Sequence, residues 1–141
     1  MARVLVVDDQ RNMRTTLSLM LRDAGFEVED AADGDAACDR VAAESFDLVL
    51  TDLRMGATDG MQVLRHTREA SPLTAAIVMT AFGTIESAVE ALRLGAYDYL
   101  TKPFDVAELK ANVRNALERR TLRQENVLLK RTLQNSHQFS N

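Results

Sequence analysis

The amino-acid sequence predicts an α/β fold, a doubly wound parallel sheet of five strands with helices on both faces. Short apolar runs rich in β-branched residues recur along the chain and end in polar residues, as buried parallel strands do. Amphipathic stretches separate these runs, and right-handed crossovers must pack each stretch back on the sheet. The length of 141 residues suits one domain with a single core and is too short for two full domains.

The five predicted strands are short. The first, third and fourth are apolar runs that end in Asp or Thr, and the second and fifth are weaker segments shortly after a glycine. In chain order they are Val4–Asp8, Phe26–Ala31, Asp47–Asp52, Ala75–Thr80 and Tyr97–Leu100.

The first four predicted helices follow from apolar spacing. The inward stripe of the first helix has offsets of 0, 4, 7, 8 and 11, and its members are Met13, Leu17, Met20, Leu21 and Ala24. Gly25 is expected to end this helix, and Gly95 the fourth, which Thr84 is expected to cap. The second and third helices are predicted over Asp35–Glu44 and Asp59–Ala70. The residues expected to point inward from helices two to four are Ala37 and Val41, then Met61, Val63 and Leu64, then Ala88, Val89 and Leu92.

The fifth predicted helix opens at Asp105, which forms an Asp-led capping box with Glu108. Its inward stripe is Leu109, Val113, Ala116 and Leu117. Neither Gly nor Pro interrupts the chain from Asp105 to about Gln134, and strong helix formers dominate there, so the helix is expected to extend beyond the sheet.

Four residues of this extension recur at heptad spacings of 4, 3 and 4, namely Leu122, Asn126, Leu129 and Leu133. They predict a short parallel coiled coil whose register Asn126 sets, and thus a homodimer through helix five and its extension. A solvated linker is the alternative, because a stable coiled coil usually needs more heptads. Residues 1–118 are therefore predicted as the globular domain, and residues 119–141 as a helical linker to domains outside this chain.

Composition and charge narrow the function classes. Hydrophobic residues make up 46% and charged residues 27%, as in soluble globular proteins, and the longest apolar run is too short to cross a membrane. A lone Cys38 indicates a free, at least half-buried thiol in a reducing compartment, so we expect a cytoplasmic protein without membrane contact. Residues 1–108 carry 19 acidic and 10 basic side chains, which argues against DNA binding by the globular part. The tail from residue 109 is basic, but its charges are spread as on a solvated helix face.

Polar residues follow the predicted strands at the edge where ligands bind in such sheets. Asp8 and Asp9 end strand one, Asp52 ends strand three, Thr80 ends strand four, and Lys102 follows strand five. Three neighbouring carboxylates repel one another unless a cation relieves them, and their oxygens suit Mg²⁺ or Mn²⁺. A carboxylate beside a metal and a lysine can attack phosphorus, so the cluster suggests phosphate chemistry. Any single Asp here could instead be a helix cap or a turn residue.

The sequence closely resembles the receiver domain of bacterial two-component response regulators over about residues 3–118. The resemblance is carried by Val4-Leu-Val-Val-Asp8-Asp9, Leu50-Thr-Asp52-Leu-Arg-Met55, Asp59-Gly60, Met79-Thr80-Ala81, Gly95-Ala-Tyr-Asp-Tyr99 and Lys102-Pro-Phe104. It implies a flavodoxin-like sheet with strand order 2-1-3-4-5. It also implies that a sensor histidine kinase supplies a phosphoryl group to the chain, which catalyses only transfer to itself and its own hydrolysis.

The resemblance also assigns roles to individual residues. Asp52 would accept the phosphoryl group. Asp9, Asp52 and the main-chain carbonyl of Arg54 would bind the metal directly, and Asp8 would bind it through water. Lys102 would bind the phosphoryl group, and the bond before Pro103 would be cis.

Thr80 and Tyr99 would form the switch, because in this family the hydroxyl moves toward the phosphoryl group and the aromatic ring turns into the vacated space. The surface formed by helix four, strand five and helix five would then change for a partner. One departure is Gly56, which stands after Met55 where receivers commonly carry Pro, so this loop is expected to be more mobile.

Two other functions remain open. A Mg²⁺-dependent phosphohydrolase similar to the haloacid dehalogenases would need Asp-x-Asp after strand one, whereas this chain has Asp8-Asp9-Gln10. A dimerisation module that never receives phosphate is the third possibility. His66 and His137 are expected to be ordinary surface residues, and the glycines form no nucleotide-binding P-loop. Receivers with such a tail resemble the regulatory part of sigma-54-dependent (NtrC-like) transcriptional activators.

Overall fold

A computed structural model of the protein describes residues 1–55, 59–81 and 83–139. Strands and helices alternate along the chain. In order they are β1 (Arg3–Val7), α1 (Arg11–Asp23), β2 (Glu27–Ala31), α2 (Gly34–Ala43), β3 (Leu48–Asp52), α3 (Gly60–Ala70), β4 (Ala75–Thr80), α4 (Ile85–Arg93), β5 (Asp98–Thr101) and α5 (Val106–Phe139).

The five strands form one parallel sheet in the order β2-β1-β3-β4-β5, which confirms the predicted fold class. The pairing aligns Val7 of β1 with Thr51 of β3, and Asp52 with Met79 of β4. The carboxyl ends of the three central strands therefore lie side by side at one edge. From β1 the chain continues to β2 on one side of β1, and it then returns to β3 on the other side. The gap between the carboxyl ends of β1 and β3 is therefore the topological switch point.

The core has two layers, because alternate strand residues face opposite sides of the sheet. Val4 and Val6 pack with residues of α1 and α5, whereas Leu5 and Val7 pack with residues of α2 and α3. All four side chains are fully buried. Helices thus cover both faces, which explains why the strands are continuous apolar runs rather than alternating ones.

Three helix N-termini have side-chain caps, and the sequence predicts two of them, at Thr84 and Asp105. Thr84 Oγ1 accepts a hydrogen bond from the Ser87 N–H at 3.0 Å, and Ser87 Oγ accepts one from the Thr84 N–H at 3.2 Å. The carboxylates of Asp59 and Asp105 accept from the N–H three residues further on, at 3.1 and 2.7 Å. These bonds satisfy amides that have no partner within their helix.

Glycines end α1 and α4, as predicted. Gly25 and Gly95 have φ values of +98° and +102°, a conformation that other residues rarely adopt. Helix α2 begins slightly earlier than predicted, because Asp33 is its cap and accepts from the Ala36 N–H at 2.7 Å.

The predicted inward face of α4 is wrong at Val89 and Leu92. Val89 and Leu92 are 46% and 51% exposed, and Ile85 is 84% exposed, whereas Ala91 is fully buried and Ala88 is half-buried. The helix packs through its alanines, because their small side chains allow a close approach to the domain. The larger apolar residues consequently form a strip on the protein surface.

The first part of helix α5 packs against the sheet. Leu109, Val113 and Ala116 are buried as predicted, and Arg120 Nη1 binds Asp47 Oδ1 at 3.0 Å near the amino-terminal end of β3. Beyond this ion pair, Leu122 and Leu129 are 59% and 61% exposed. The helix continues to Phe139, and the side chain of Leu133 lies outside the described residues.

The lone cysteine agrees with its prediction. Cys38 is free and half-buried, and its burial, followed by the charges of Asp35 and Asp39, raises the pKa of the thiol. This favours the less reactive protonated form. None of the helices within the described ranges combines the length and hydropathy of a membrane span.

An ion-pair network near the start of β1 is expected to make stability depend on pH. Hydrogen bonds from Arg40 and Arg3 lower the pKa of Glu44 from 4.5 to about 2. A carboxyl with a depressed pKa stabilises the fold above its unfolded pKa, and this contribution is lost as the pH falls toward the folded pKa. Glu44→Gln should therefore be less stable than wild type at neutral pH, and the difference should shrink as the pH falls below about 4.5.

Urea unfolding at a series of pH values measures this difference. The control is Glu69→Gln, since Glu69 is exposed and forms no ion pair with the described residues. A wild-type advantage over Glu44→Gln that stays constant with pH, or an equal effect in the control, would contradict the prediction.

Candidate functional site

Three carboxylates meet at the carboxyl-terminal edge of the sheet. Asp8 and Asp9 directly follow β1, and Asp52 is the last residue of β3. One oxygen of each carboxylate lies within 4.8 Å of the other two. Asp8 and Asp52 are buried and Asp9 is exposed, so the cluster opens to solvent on the side of Asp9. Among the residues that the structure describes, no other group of this kind exists.

Lys102 reaches this cluster from the end of β5. Its Nζ donates to Asp8 Oδ2 at 3.0 Å and lies 3.4 Å from Asp52 Oδ2. Its main-chain N–H donates to the Thr80 carbonyl at 2.8 Å, and the bond to Pro103 is cis, as the resemblance implied. One ammonium therefore contacts two of the three carboxylates, and the site retains excess negative charge that a divalent cation can neutralise.

The surroundings disfavour the charged form of Asp52. Burial is the main cause that raises the pKa of its carboxyl, and the charge of Asp8 acts in the same direction. Lys102 and a hydrogen bond from the Arg54 main chain oppose this change without cancelling it. Because the charged form of Asp52 is poorly stabilised, binding of a cation or formation of a covalent bond would relieve this unfavourable charge.

The turn between β1 and α1 is held from α1 by Arg14. The Asp8 carboxylate accepts from the Gln10 N–H at 2.9 Å, and Arg14 Nη1 donates to the Asp8 carbonyl at the same distance. Arg14 Nε also reaches Asp30 Oδ2 at 3.3 Å. The sequence did not indicate this role, because α1 shows only its apolar stripe and the contact depends on where β2 ends.

Gly60 lies against the main chain at the end of β3. Its N–H donates to the Leu53 carbonyl at 2.7 Å. A Cβ at this position would overlap the Asp52 carbonyl oxygen and lie 2.8 Å from Leu53 Cα. The first turn of α3 can therefore approach Asp52 only because Gly60 has no side chain, a constraint that the sequence analysis missed.

Thr80 and Tyr99 lie on neighbouring strands. Thr80, at the end of β4, is buried, and Tyr99 in β5 is half-buried. The Tyr99 hydroxyl is 2.9 Å from Ser87 Oγ, and Ser87 belongs to the cap of α4. The predicted switch tyrosine is thus connected to the start of α4.

The remaining sequence candidates lie as follows. Arg54 lies two residues after the end of β3, and its side chain is exposed. His66 is exposed on α3 and is not part of the carboxylate cluster. Gly56, with its predicted loop mobility, and the side chain of His137 lie outside the described residues.

Comparison with known proteins agrees with this geometry. The profile of the response regulator receiver domain matches residues 4–114. Regulatory protein AtoC of Escherichia coli K12 is 41% identical over 137 residues, which cover 97% of this chain and 30% of AtoC. Transcriptional regulatory protein ZraR of the same organism is 42% identical over 114 residues, which cover 81% of this chain and 26% of ZraR. The chain thus spans less than a third of the length of these relatives.

A solved structure extends the comparison to the fold. The beryllofluoride-activated NtrC4 receiver domain dimer in solution is 32% identical, with a TM-score of 0.81, covering 85% of this chain and 99% of that chain. The matched profile covers most of the chain and includes Asp8, Asp9, Asp52 and Lys102. This chain belongs to the response regulator receiver domain family.

Proposed function

We propose that the domain accepts a phosphoryl group on Asp52 from a sensor histidine kinase and thereby controls an attached transcription-activating output. The observation that carries this proposal is the arrangement of Asp52. Its carboxylate shares a possible cation site with Asp8 and Asp9 and faces the Lys102 ammonium. We place the domain in the cytoplasm, where such a kinase would present its phosphohistidine.

The residues divide the chemistry among them. Asp9, Asp52 and the Arg54 carbonyl would hold Mg²⁺ or Mn²⁺ directly, and Asp8 would hold it through water. When bound, the metal neutralises the oxygens of the incoming phosphoryl group. An Asp52 oxygen then forms the new bond to phosphorus as the bond to the donor breaks, Lys102 binds a phosphoryl oxygen, and the Thr80 hydroxyl turns toward the product.

One experiment separates this function from the two alternatives. The chain is incubated with acetyl phosphate and Mg²⁺, and its intact mass and the released phosphate are measured. A single added phosphoryl group that decays slowly supports the receiver function. Steady release of phosphate from an unrelated monoester would favour the hydrolase, and no added mass would favour a dimerisation module that receives no phosphate.

Mg²⁺ is expected to stabilise the folded chain, because the three carboxylates are brought together only on folding. A metal at a hundred times its Kd stabilises by about 2.7 kcal/mol. Asp9→Ala should lose most of the Mg²⁺-induced rise in the thermal midpoint, whereas Asp23→Ala, which removes an exposed carboxylate at the end of α1, should keep it. An equal rise in Asp9→Ala and wild type would remove Asp9 from the site.

The output is proposed from the relatives and from the exposed strip of α4. ZraR is named a transcriptional regulatory protein, and this chain spans only part of its length. We propose the same arrangement here, with the receiver joined through α5 to the ATPase and DNA-binding domains of a sigma-54-dependent activator. Phosphorylation would turn Tyr99, loosen its contact with Ser87, and so change how Ile85, Val89 and Leu92 are presented to a partner.

The extension of α5 is proposed to form a homodimer. Leu122 and Asn126 line a groove together with Tyr97 and Asn115, and Leu122 is 59% exposed. Pairing of two chains along this groove would cover apolar residues that are otherwise exposed. The NtrC4 receiver dimer shows that a similar domain can pair in solution.

Sedimentation equilibrium tests this dimer directly. Residues 1–141 should sediment as a dimer at concentrations of about tens of micromolar. A truncation after residue 118 should be monomeric, because it lacks Leu122, Asn126 and Leu129. Monomers in both cases, or dimers in both cases, would contradict pairing through the extension.

A further inference from the structure

Arg14 contacts the metal-binding turn without belonging to the carboxylate cluster. Its guanidinium joins two separate segments, through Nη1 to the Asp8 carbonyl at 2.9 Å and through Nε to Asp30 Oδ2 at 3.3 Å. The Arg14 side chain is 16% exposed, whereas Asp30 is 53% exposed. The Arg14 side chain is therefore largely buried between its own helix and the carboxyl end of β2.

The Asp8 carbonyl is a sensitive point of the site, because the next peptide carries Asp9. Lys102 already fixes the Asp8 carboxylate at 3.0 Å, and the Gln10 N–H binds its other oxygen. Among the residues that the structure describes, Arg14 is the one side chain that holds the peptide between Asp8 and Asp9 by a hydrogen bond. A rotation of this peptide would move Asp9, the exposed carboxylate, away from Asp52.

We propose that Arg14 is a positioning residue of the metal site, which holds the Asp8–Asp9 peptide so that both carboxylates point toward Asp52. The proposal rests on the metal binding that the proposed function requires. Arg14 would act through the turn and would touch neither the metal nor the phosphoryl group.

The charge of Arg14 makes this proposal testable, because positioning and charge change the Mg²⁺ affinity in opposite directions. A cation near a divalent metal weakens its binding, so removal of the charge alone would tighten Mg²⁺ binding. Loss of a positioning contact acts in the opposite direction, and partners that orient metal ligands typically contribute tenfold to a hundredfold in affinity. Weaker binding after loss of a positive charge is therefore specific for positioning.

The experiment measures Mg²⁺ affinity by calorimetry for wild type, Arg14→Met, Arg14→Lys and Arg11→Met, at a temperature where each is folded. Arg11 is the matched control, since it is exposed on the same helix and forms no hydrogen bond or ion pair with the described residues. We expect about tenfold weaker binding in Arg14→Met, partial recovery in Arg14→Lys, and unchanged or tighter binding in Arg11→Met.

A second measurement needs no metal. Amide hydrogen exchange at Asp9 and Gln10 should be faster in Arg14→Met than in wild type, and exchange in the central strand β3 should not change. Unchanged or tighter Mg²⁺ binding in Arg14→Met, or an equally protected turn, would overturn the proposal. Absence of Mg²⁺ binding in wild type would instead overturn the proposed function, while the exchange measurement would still report on Arg14.

Discussion

Asp52→Asn is expected to abolish phosphorylation of the chain by acetyl phosphate. An amide nitrogen or oxygen at this position cannot replace the carboxylate as a nucleophile, and Lys102 would face no acceptor. Intact mass spectrometry should show one added phosphoryl group in wild type and none in the variant. Asp59→Asn is the matched control, because asparagine caps a helix about as well as aspartate and leaves α3 intact.

Unfolding cannot explain the expected loss. The folded state raises the pKa of Asp52, chiefly through burial, so it favours a neutral side chain at this position. Asp52→Asn should thus be at least as stable as wild type without Mg²⁺, and should gain less stability when Mg²⁺ is added. Continued labelling of the folded variant would show that the acceptor is another residue.

Gly60→Ala is expected to lower both stability and phosphorylation. The added methyl group would overlap the Asp52 carbonyl, which is main chain and cannot rotate away. Helix α3 must then shift from the end of β3, and overpacking of this kind typically costs about 1–3 kcal/mol. The displaced strand end carries Asp52, the proposed acceptor, so labelling should also slow in protein that remains folded.

Gly25→Ala separates these two effects. Nothing lies within 4 Å of a Cβ at Gly25, but its φ of +98° makes the substitution strained. This variant should lose stability at the end of α1 and keep the wild-type rate of phosphorylation. A Gly60→Ala protein with normal stability and normal labelling would show that α3 does not constrain Asp52.

Local patterns were sufficient to predict the architecture and the central cluster. The continuous apolar runs identified buried strands, and their alternation with helical stripes indicated a parallel sheet. Because the carboxyl ends of parallel strands share an edge, Asp8, Asp9 and Asp52 could be expected together although more than 40 positions separate Asp9 from Asp52. Thr84, Gly25 and Gly95 marked helix ends through interactions that span only a few residues.

The errors concern contacts between distant segments. Apolar spacing could not distinguish the packed face of α4 from its exposed face, because alanines make the contact and the larger Val89 and Leu92 lie on the surface. The role of Gly60 depends on how closely α3 approaches β3. That of Arg14 depends on the turn after β1 and the end of β2, which meet only in the folded protein.

The ion pair between Arg120 and Asp47 has a mechanical consequence. It ties α5 to the amino-terminal edge of the sheet, and the helix continues from there to Phe139. At 1.5 Å per residue, the part of α5 beyond Arg120 is about 28 Å long, so a tilt of about 10° at Arg120 would move its end by about 5 Å. The pivot lies at the opposite end of β3 from Asp52, so the strand connects the chemical event to the base of this part of α5. Sub-ångström repacking around a phosphorylated Asp52 would in this way move the end of α5 by a much larger distance, which would change its position relative to a neighbouring domain.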